Sequence, residues 1–319
     1  IGCATNYSIH LNALARHVGV KLSLDDCQSF VYVVPLLVNC EPAGDFLAED
    51  FYRAGGVPAV LGELQAAGRI HPEALTVTGK TVGENLADIR SLNLKVIRSV
   101  EHPLREKAGF LVLKGNLCDS ALIKTCVIGT AFRERYLSTP GEENSFTTRA
   151  VVFEGREDYY ERINDPALQI DDCSLLVIRN VGPIGYPGSA EVVNMLPPDE
   201  LIQVGVRELP CMGDGRQSGT SASPSILHMT PESAVGGALA ILQSGDEIRI
   251  DLNRCTVELL VSQDEIDRRW QEYQPPRLAH ATPWQEIYRS TVGQLDTGAC
   301  LELATEYRDV CAECPRHNH

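Results

Sequence analysis

The sequence predicts a partial α/β layer over residues 1–100, followed by a mostly β, barrel-like domain over residues 101–319 with a few helices. Three observations predict it. Helical and strand-like patterns alternate up to about residue 97, as in an α/β layer. After Glu101-His102-Pro103 short β-type runs take over. Near the end of these runs, two alternating segments flank a polar turn at Asn253-Arg254, the pattern of a hairpin.

The elements follow in order. Apolar residues at 9, 11, 14, 15 and 18 give residues 8–20 a helical period. Ser23-Leu24-Asp25-Asp26 reads as a cap opening a second helix. The apolar run 31–38 fits a buried strand. Residues 46–54 read as a helix broken by Gly55-Gly56, and Pro58 suits the first position of the next helix, through Leu64. The β-type runs are 109–113, 122–128, 150–153 and 175–178, and the hairpin pairs 247–252 with 256–260. Gly/Pro-rich loops cover 182–188 and 213–224, and residues 284–307 are again helical.

Composition excludes some functions. The chain has 319 residues, 44% hydrophobic and 22% charged, with a net charge of -15. That balance opposes binding to nucleic acid or to an anionic membrane surface, both of which need basic faces. No apolar run is long enough to span a bilayer. A small anionic substrate is still allowed, because a few local cations or a metal capture one carboxylate. The 11 cysteines are odd in number and scattered, which fits reduced thiols packing as small hydrophobes in an intracellular compartment, cytoplasmic in preference to mitochondrial. Ile1-Gly2-Cys3-Ala4-Thr5-Asn6 has neither an initiator Met nor the pattern of a signal peptide, and reads as the middle of a longer protein.

Four segments could carry chemistry. In Gly213-Asp214-Gly215-Arg216-Gln217-Ser218-Gly219-Thr220-Ser221-Ala222-Ser223-Pro224, glycines permit close backbone approach to a ligand, and hydroxyls could hold a polyhydroxy acid. Ser218 could act as a base if cations stabilised its alkoxide. The plain alternative is a Ser-rich surface turn. In Gly182-Pro183-Ile184-Gly185-Tyr186-Pro187-Gly188-Ser189-Ala190-Glu191, a rigid loop ends in one acid at the start of a helix, 191–196. Glu191 could ligate a hard cation such as Mg²⁺, or simply complement the helix dipole. Thr76-Val77-Thr78-Gly79-Lys80-Thr81 is faintly like a phosphate loop, but its glycine spacing is wrong for nucleotide binding. Cys311, Cys314, His317 and His319 could form a zinc site, although the tail leaves almost no chain to wrap a metal.

Together these segments resemble the dihydroxy-acid dehydratase and phosphogluconate dehydratase family, and within it the arabonate and xylonate dehydratases. The matching stretches are Ala4-Thr5-Asn6 with the helix that carries His10, Leu36-Leu37-Val38-Asn39 with Pro42-Ala43-Gly44, Arg53-Ala54-Gly55-Gly56-Val57-Pro58-Ala59-Val60, residues 76–85, Lys114-Gly115-Asn116-Leu117, 182–191, 213–223 and Pro315-Arg316-His317-Asn318-His319. Tyr186-Pro187-Gly188-Ser189-Ala190-Glu191 and Gln217-Ser218-Gly219-Thr220-Ser221 favour the sugar-acid branch over the dehydratase of branched-chain amino-acid synthesis.

The resemblance implies a barrel of the swivelling type and a hydro-lyase that turns a 2,3-dihydroxy sugar acid into a 2-keto-3-deoxy acid. It implies an iron–sulfur cluster, of the 2Fe-2S kind, acting on the leaving 3-hydroxyl, and a Mg²⁺ holding the carboxylate and 2-hydroxyl. It places the base at Ser218, one Mg²⁺ ligand at Glu191, and substrate contacts at Thr220, Ser221 and, more weakly, His319. It also implies a homo-oligomer. The family chain is about twice as long, and its cluster cysteines and other Mg²⁺ ligands lie in a preceding half. The expectation is therefore a C-terminal half that does not catalyse alone. The competing expectation is a non-catalytic module that binds a sugar acid or a partner.

Overall fold

The computed structural model describes residues 4–218 and 224–306. The first hundred residues fold as helices: α1 (Asn6–His17), α2 (Leu24–Val31), α3 (Ala48–Arg53), α4 (Gly56–Ala66) and α5 (Val82–Leu86). Ser23 caps α2 as its sequence predicts. Its hydroxyl accepts from the Asp26 N–H at 3.0 Å, and the Asp26 carboxylate accepts from the Ser23 N–H at 3.0 Å. Thr81 and Glu84 make the same reciprocal cap on α5, so the threonine-rich segment before it serves as a helix entry. Gly55 and Gly56 take left-handed φ of +108° and +59° and set the turn from α3 into α4. Pro58 lies within the first turn of α4.

The strand expected over 31–38 does not form. Val31 ends α2, and beyond it only isolated bridges occur, Leu36 with Arg105 and Val38 with Ile97. Leu36 and Leu37 are fully buried, so the apolar run marks burial and not a ladder. Pro35 interrupts it, and no neighbouring strand offers a continuous edge. Among the described residues the expected α/β layer is therefore a short helical part.

The rest is a closed eight-stranded barrel. Its strands are β1 (Phe110–Gly115), β2 (Cys118–Lys124), β3 (Ser145–Phe153), β4 (Ser174–Ile178), β5 (Cys211–Gly213), β6 (Ser225–Thr230), β7 (Glu247–Asp251) and β8 (Thr256–Leu259). The order around the barrel is β1-β2-β6-β5-β4-β3-β7-β8. The four strands β3, β4, β5 and β6 run parallel, whereas β1–β2, β2–β6, β3–β7 and β7–β8 are antiparallel. The expected hairpin is β7–β8, with Ile248 opposite Leu259 and Asp251 opposite Thr256.

Side-chain alternation separates two apolar faces. Leu111, Leu113, Ile123, Val152, Val177, Ile248 and Val257 belong to one cluster, the barrel interior. Their neighbours Val151, Phe153, Leu176, Ile178 and Leu227 point outward and are covered by Val181, Val193, Met195 and Leu209, with α7 (Arg156–Arg162) and α8 (Asp199–Gln203) alongside. On another side, Phe110, Val112 and Leu122 are covered by Leu24 and Cys27 of α2, so the first helices rest on the barrel wall. Phe132 and Tyr136 of α6 (Thr130–Tyr136) stack with Phe146. Arg269 of α9 (Gln263–Glu272) is buried against Asp246 through paired bonds of 2.6 and 2.8 Å.

The helix expected over 284–307 divides in two, α10 (Pro283–Thr291) and α11 (Glu302–Glu306). Gly298 interrupts it with φ +92°, where an added Cβ would come 2.6 Å from the Ala13 nitrogen of α1. Of the eight described cysteines, Cys27, Cys118, Cys126, Cys211 and Cys300 are buried, as small hydrophobes would be. No described helix is long and apolar enough to cross a membrane.

The barrel closes at a narrow seam. β1 and β8 share one register pair, Lys114 with Thr256. Beyond it, Gly115 lies so close that an added Cβ would sit 1.9 Å from the Val257 carbonyl oxygen. The Asn116 amide then takes over the pairing: its Nδ2 donates to Leu259 O at 2.9 Å and its Oδ1 accepts from Leu259 N at 2.7 Å. This explains the Lys114-Gly115-Asn116 sequence in physical terms. Gly115→Ala should lower the unfolding free energy by about 3 kcal/mol or more, since backbone and not a mobile side chain blocks it. Asn116→Ala should cost about 1–3 kcal/mol by orphaning both Leu259 groups. Urea unfolding followed by circular dichroism measures both, and a near-neutral Gly115→Ala would refute the seam.

Candidate active site

Both loops singled out by the sequence leave the C-terminal ends of adjacent parallel strands, β4 and β5, where open and closed α/β sheets gather their sites. Only residues 214–224 separate β5 from its parallel neighbour β6.

The loops are tied together by buried carboxylates. Asp214 is completely buried. Its Oδ1 accepts from Val181 N at 3.0 Å, and its Oδ2 accepts from Ser233 N at 2.8 Å, Asn180 N at 3.2 Å and the Ser233 hydroxyl. Burial pushes its carboxyl up while these donors pull it down, and burial is the larger influence. Glu232 repeats the device. It accepts from Ile184 N at 3.0 Å, Gly185 N at 2.8 Å and the Gln294 amide at 2.9 Å, and burial raises it too. Arg289 of α10 holds the same stretch by its carbonyls, Ile184 O at 2.8 Å and Gly185 O at 3.3 Å. An added Cβ on Gly182 would lie 2.5 Å from Glu232 Oε2, so that glycine is required by close approach.

Glu191 does not start a helix. Residues 191–196 form no helix, and Glu191 bridges Arg216 in parallel. Arg216 N donates to Ala190 O at 3.0 Å, and Val193 N donates to Arg216 O at 3.1 Å. The reason is the period-two burial of Val193 and Met195, which a helix could not deliver to the barrel wall. The helix-dipole role for Glu191 falls with the helix.

The bridge brings the two expected site residues onto neighbouring segments. Asn6 of α1 donates through Nδ2 both to Glu191 Oε1 and to the Gln217 carbonyl at 3.2 Å, and Ser218 is the next residue. Arg216 Nη1 lies 3.7 Å from Glu191 Oε1, and its other nitrogens hold Ser189 O at 2.8 Å and Gly188 O at 3.3 Å. Thr220, Ser221 and His319 lie outside the described residues, as do Cys311, Cys314 and His317. Behind the loop, His228 is buried with φ +55°, its N–H on Gly215 O at 3.0 Å and its Nε2 without a hydrogen-bond partner. Burial, helped by the Arg216 charge, pushes it down to about 3.

Sequence reasoning missed Asn6, Asp214, Arg216, Glu232 and His228 as builders of the site. Asn6, Asp214 and Arg216 lay inside stretches already singled out, but their roles depend on contacts far along the chain. Nothing near Glu232 or His228 distinguishes them in sequence.

Glu191 and Asn6 together offer a carboxylate and an amide, donors suited to a hard cation. Mg²⁺ keeps waters and takes few protein ligands, so the pair fits one side of such an ion. Cluster ligation does not fit the described residues. The one group of three candidate ligand residues within ligating distance among them is Asp171, Asp172 and Cys173, which precedes β4 whereas these loops follow the ends of β4 and β5, and which is already engaged with Arg135, Arg149 and Ser174.

A family model described as the dihydroxy-acid/6-phosphogluconate dehydratase C-terminal domain matches residues 95–299, and its N-terminal counterpart matches residues 1–85. The chain belongs to this family. It is 56% identical to a D-xylonate dehydratase of Caulobacter vibrioides over all of its own length and 53% of that protein. It is 40% identical to an L-arabinonate dehydratase of Rhizobium leguminosarum over 95% of its length and 51% of that protein. A dihydroxy-acid dehydratase of Clostridium beijerinckii is 36% identical, over 52% of that protein. The higher identities place the chain in the sugar-acid branch. It spans about half the length of the curated relatives it matches.

Two outcomes follow from the buried groups. Asp214→Asn replaces an acceptor-only oxygen with a donor facing backbone N–H groups and should cost about 3 kcal/mol, read as a lower urea midpoint with unchanged slope. His228 titrates near 6.5 when unfolded and near 3 when folded. Between those values the unfolded chain binds more protons, so the stability this residue contributes is complete above about pH 6.5 and is lost on acidification, by up to ~1.4 kcal/mol per pH unit. His228→Asn, which tolerates the left-handed backbone, should flatten that part of the stability–pH profile; an unchanged slope would exclude His228 as its source.

Proposed function

We propose that this chain forms one wall of the site of a hydro-lyase that dehydrates an aldonate, such as xylonate or arabonate, to the 2-keto-3-deoxy acid. The observation that carries the reading is the Asn6 amide holding Glu191 and the Gln217 carbonyl at once, which sets a carboxylate beside the segment that carries Ser218.

In this reading Ser218, as an alkoxide, removes the proton from C2. The C3–O bond breaks, the departing hydroxide takes up the proton that Ser218 removed and leaves as water, which restores the alkoxide, and the enol tautomerises to the 2-keto acid. Glu191 holds Mg²⁺, with Asn6 orienting its carboxylate. When bound, Mg²⁺ supplies Lewis acidity toward the substrate carboxylate and 2-hydroxyl. Arg216 balances Glu191 from the other side and carries positive charge two residues from Ser218, favouring the alkoxide. Thr220, Ser221 and His319 contact the substrate hydroxyls and carboxylate. The ligands of the family's iron–sulfur cluster would lie outside the described residues. The complete enzyme is a cytoplasmic homo-oligomer in which residues 1–100 complete the α/β domain and 101–319 form the barrel domain.

The test compares the 319-residue chain alone with the chain co-expressed with the N-terminal half of a related aldonate dehydratase, both supplied with iron, sulfide and Mg²⁺. The chain alone should give no 2-keto acid from arabonate, xylonate or gluconate, and the assembly should turn over. In the assembly, Ser218→Ala should lower kcat by about 10²–10⁴-fold, and Glu191→Gln should raise the Mg²⁺ concentration needed for half-activity. Robust turnover by the chain alone would sink the half-site reading, and full activity of Ser218→Ala would sink the base. Binding of a sugar acid with no turnover in the assembly would mark a binding module instead.

A further inference from the structure

The opposite end of the barrel carries a second polar cavity. Its walls lie at the start of β1, the end of β2, the start of β3 and the end of β7. Glu191 and Ser218 follow the far ends of β4 and β5, which run parallel to β3, so the two places face away from each other along the barrel axis. The cavity has a volume of about 320 Å³. Tyr32, Arg105, Lys107, Arg133, Asn144 and Asn253 give it its polar lining.

Three cations and no carboxylate line this cavity, in a chain of net charge -15. None of the three is in an ion pair among the described residues. Arg133 spends its Nε and Nη2 on the Ile128 and Thr125 carbonyls, at 3.2 and 3.0 Å, which fixes the guanidinium and leaves Nη1 unspent. Lys107 lies over the Tyr32 ring, 5.4 Å from its centre. Among the acids of the flanking segments, Glu106 and Glu134 do not line the cavity, and three others are engaged elsewhere. Glu142 pairs with Arg249 at 3.6 Å, the Glu143 carboxylate accepts from Gly141 N at 3.2 Å, and Asp251 accepts from the Asn253 and Arg254 N–H groups at 2.9 Å each. Burial, and after it the neighbouring Arg105 charge, hold Arg133 below the usual arginine range.

We propose that this cavity binds a phosphate dianion, free or carried by a small sugar. Two guanidinium groups and an ammonium match the charge and the several acceptor oxygens of phosphate better than those of a single carboxylate. The Asn144 and Asn253 amides and the Tyr32 hydroxyl line the remaining wall and suit the hydroxyls of an attached sugar. The proposal is independent of the hydro-lyase reading, because no residue of that site takes part.

The test titrates the intact 319-residue chain with inorganic phosphate, glucose 6-phosphate and acetate at matched ionic strength in a phosphate-free buffer, followed by calorimetry and thermal melts. Saturable one-to-one binding of phosphate or the sugar phosphate is expected, with a dissociation constant of about 1 mM or below. Tighter binding of the sugar phosphate identifies the sugar-linked source, and equal binding identifies free phosphate. Arg105→Gln should weaken binding by about tenfold, and Arg105→Gln with Lys107→Gln should abolish it. The Arg105 and Lys107 side chains make no described hydrogen bond, so the ligand-free melting temperature of these variants should hold. Absence of saturable binding, binding that survives the double substitution, or acetate binding as tight as phosphate would overturn the proposal.

Discussion

The Asp214 carboxylate lies buried among three chain segments, and the geometry of the candidate site depends on how it is satisfied. It receives N–H groups from residues 180 and 181, at the end of β4, and from 233, just past β6, while itself sitting at the end of β5. One side chain therefore fixes the ends of three neighbouring parallel strands relative to one another. Glu232, next to Ser233, extends the constraint to Ile184 and Gly185, and Arg289 closes it from α10. An acceptor-only group suits this place, because every surrounding backbone group points a donor inward. The Glu191 and Ser218 segments inherit positions already settled beneath them.

The barrel divides its labour along the same lines. The parallel half, β3 to β6, provides strand ends that all point one way and so gathers loops at one mouth. The remaining strands, paired antiparallel except where β1 meets β8 in parallel, provide closure, with Gly115 and Asn116 finishing a seam too narrow for an ordinary ladder. β5 has three residues, yet it lies between β4 and β6 and carries Asp214 immediately after it.

Local signals in the sequence were read well where the structure answers locally. The β7–β8 hairpin, the Ser23 cap and the Gly55-Gly56 turn depend on residues within a few positions of each other. The strand runs at 109–113, 150–153 and 175–178 reflect burial on both faces, which a mostly closed and covered barrel wall supplies. The failures share one cause. Residues 31–38 are apolar because they are buried, but a strand needs a partner edge, and that is decided elsewhere in the chain. Residues 191–196 carry no helix because Arg216, 25 positions on, offers a bridge and the barrel wall takes Val193 and Met195. The helix at 284–307 breaks where Gly298 meets α1, nearly the whole chain away. For the candidate site, the sequence marked Glu191 and Ser218 through the family resemblance. The side chains that hold their segments, Asn6, Asp214 and Glu232, act across long separations that no local pattern records.

Asn6 joins the first described helix to the loops at the barrel mouth, across 185 residues of sequence. One amide thus serves a helix and two loops at once, and the three cannot shift independently. Whatever displaces α1 from the barrel wall also takes the donor away from Glu191 and from the Gln217 carbonyl, so the seating of the first helix and the orientation of the carboxylate amount to a single degree of freedom.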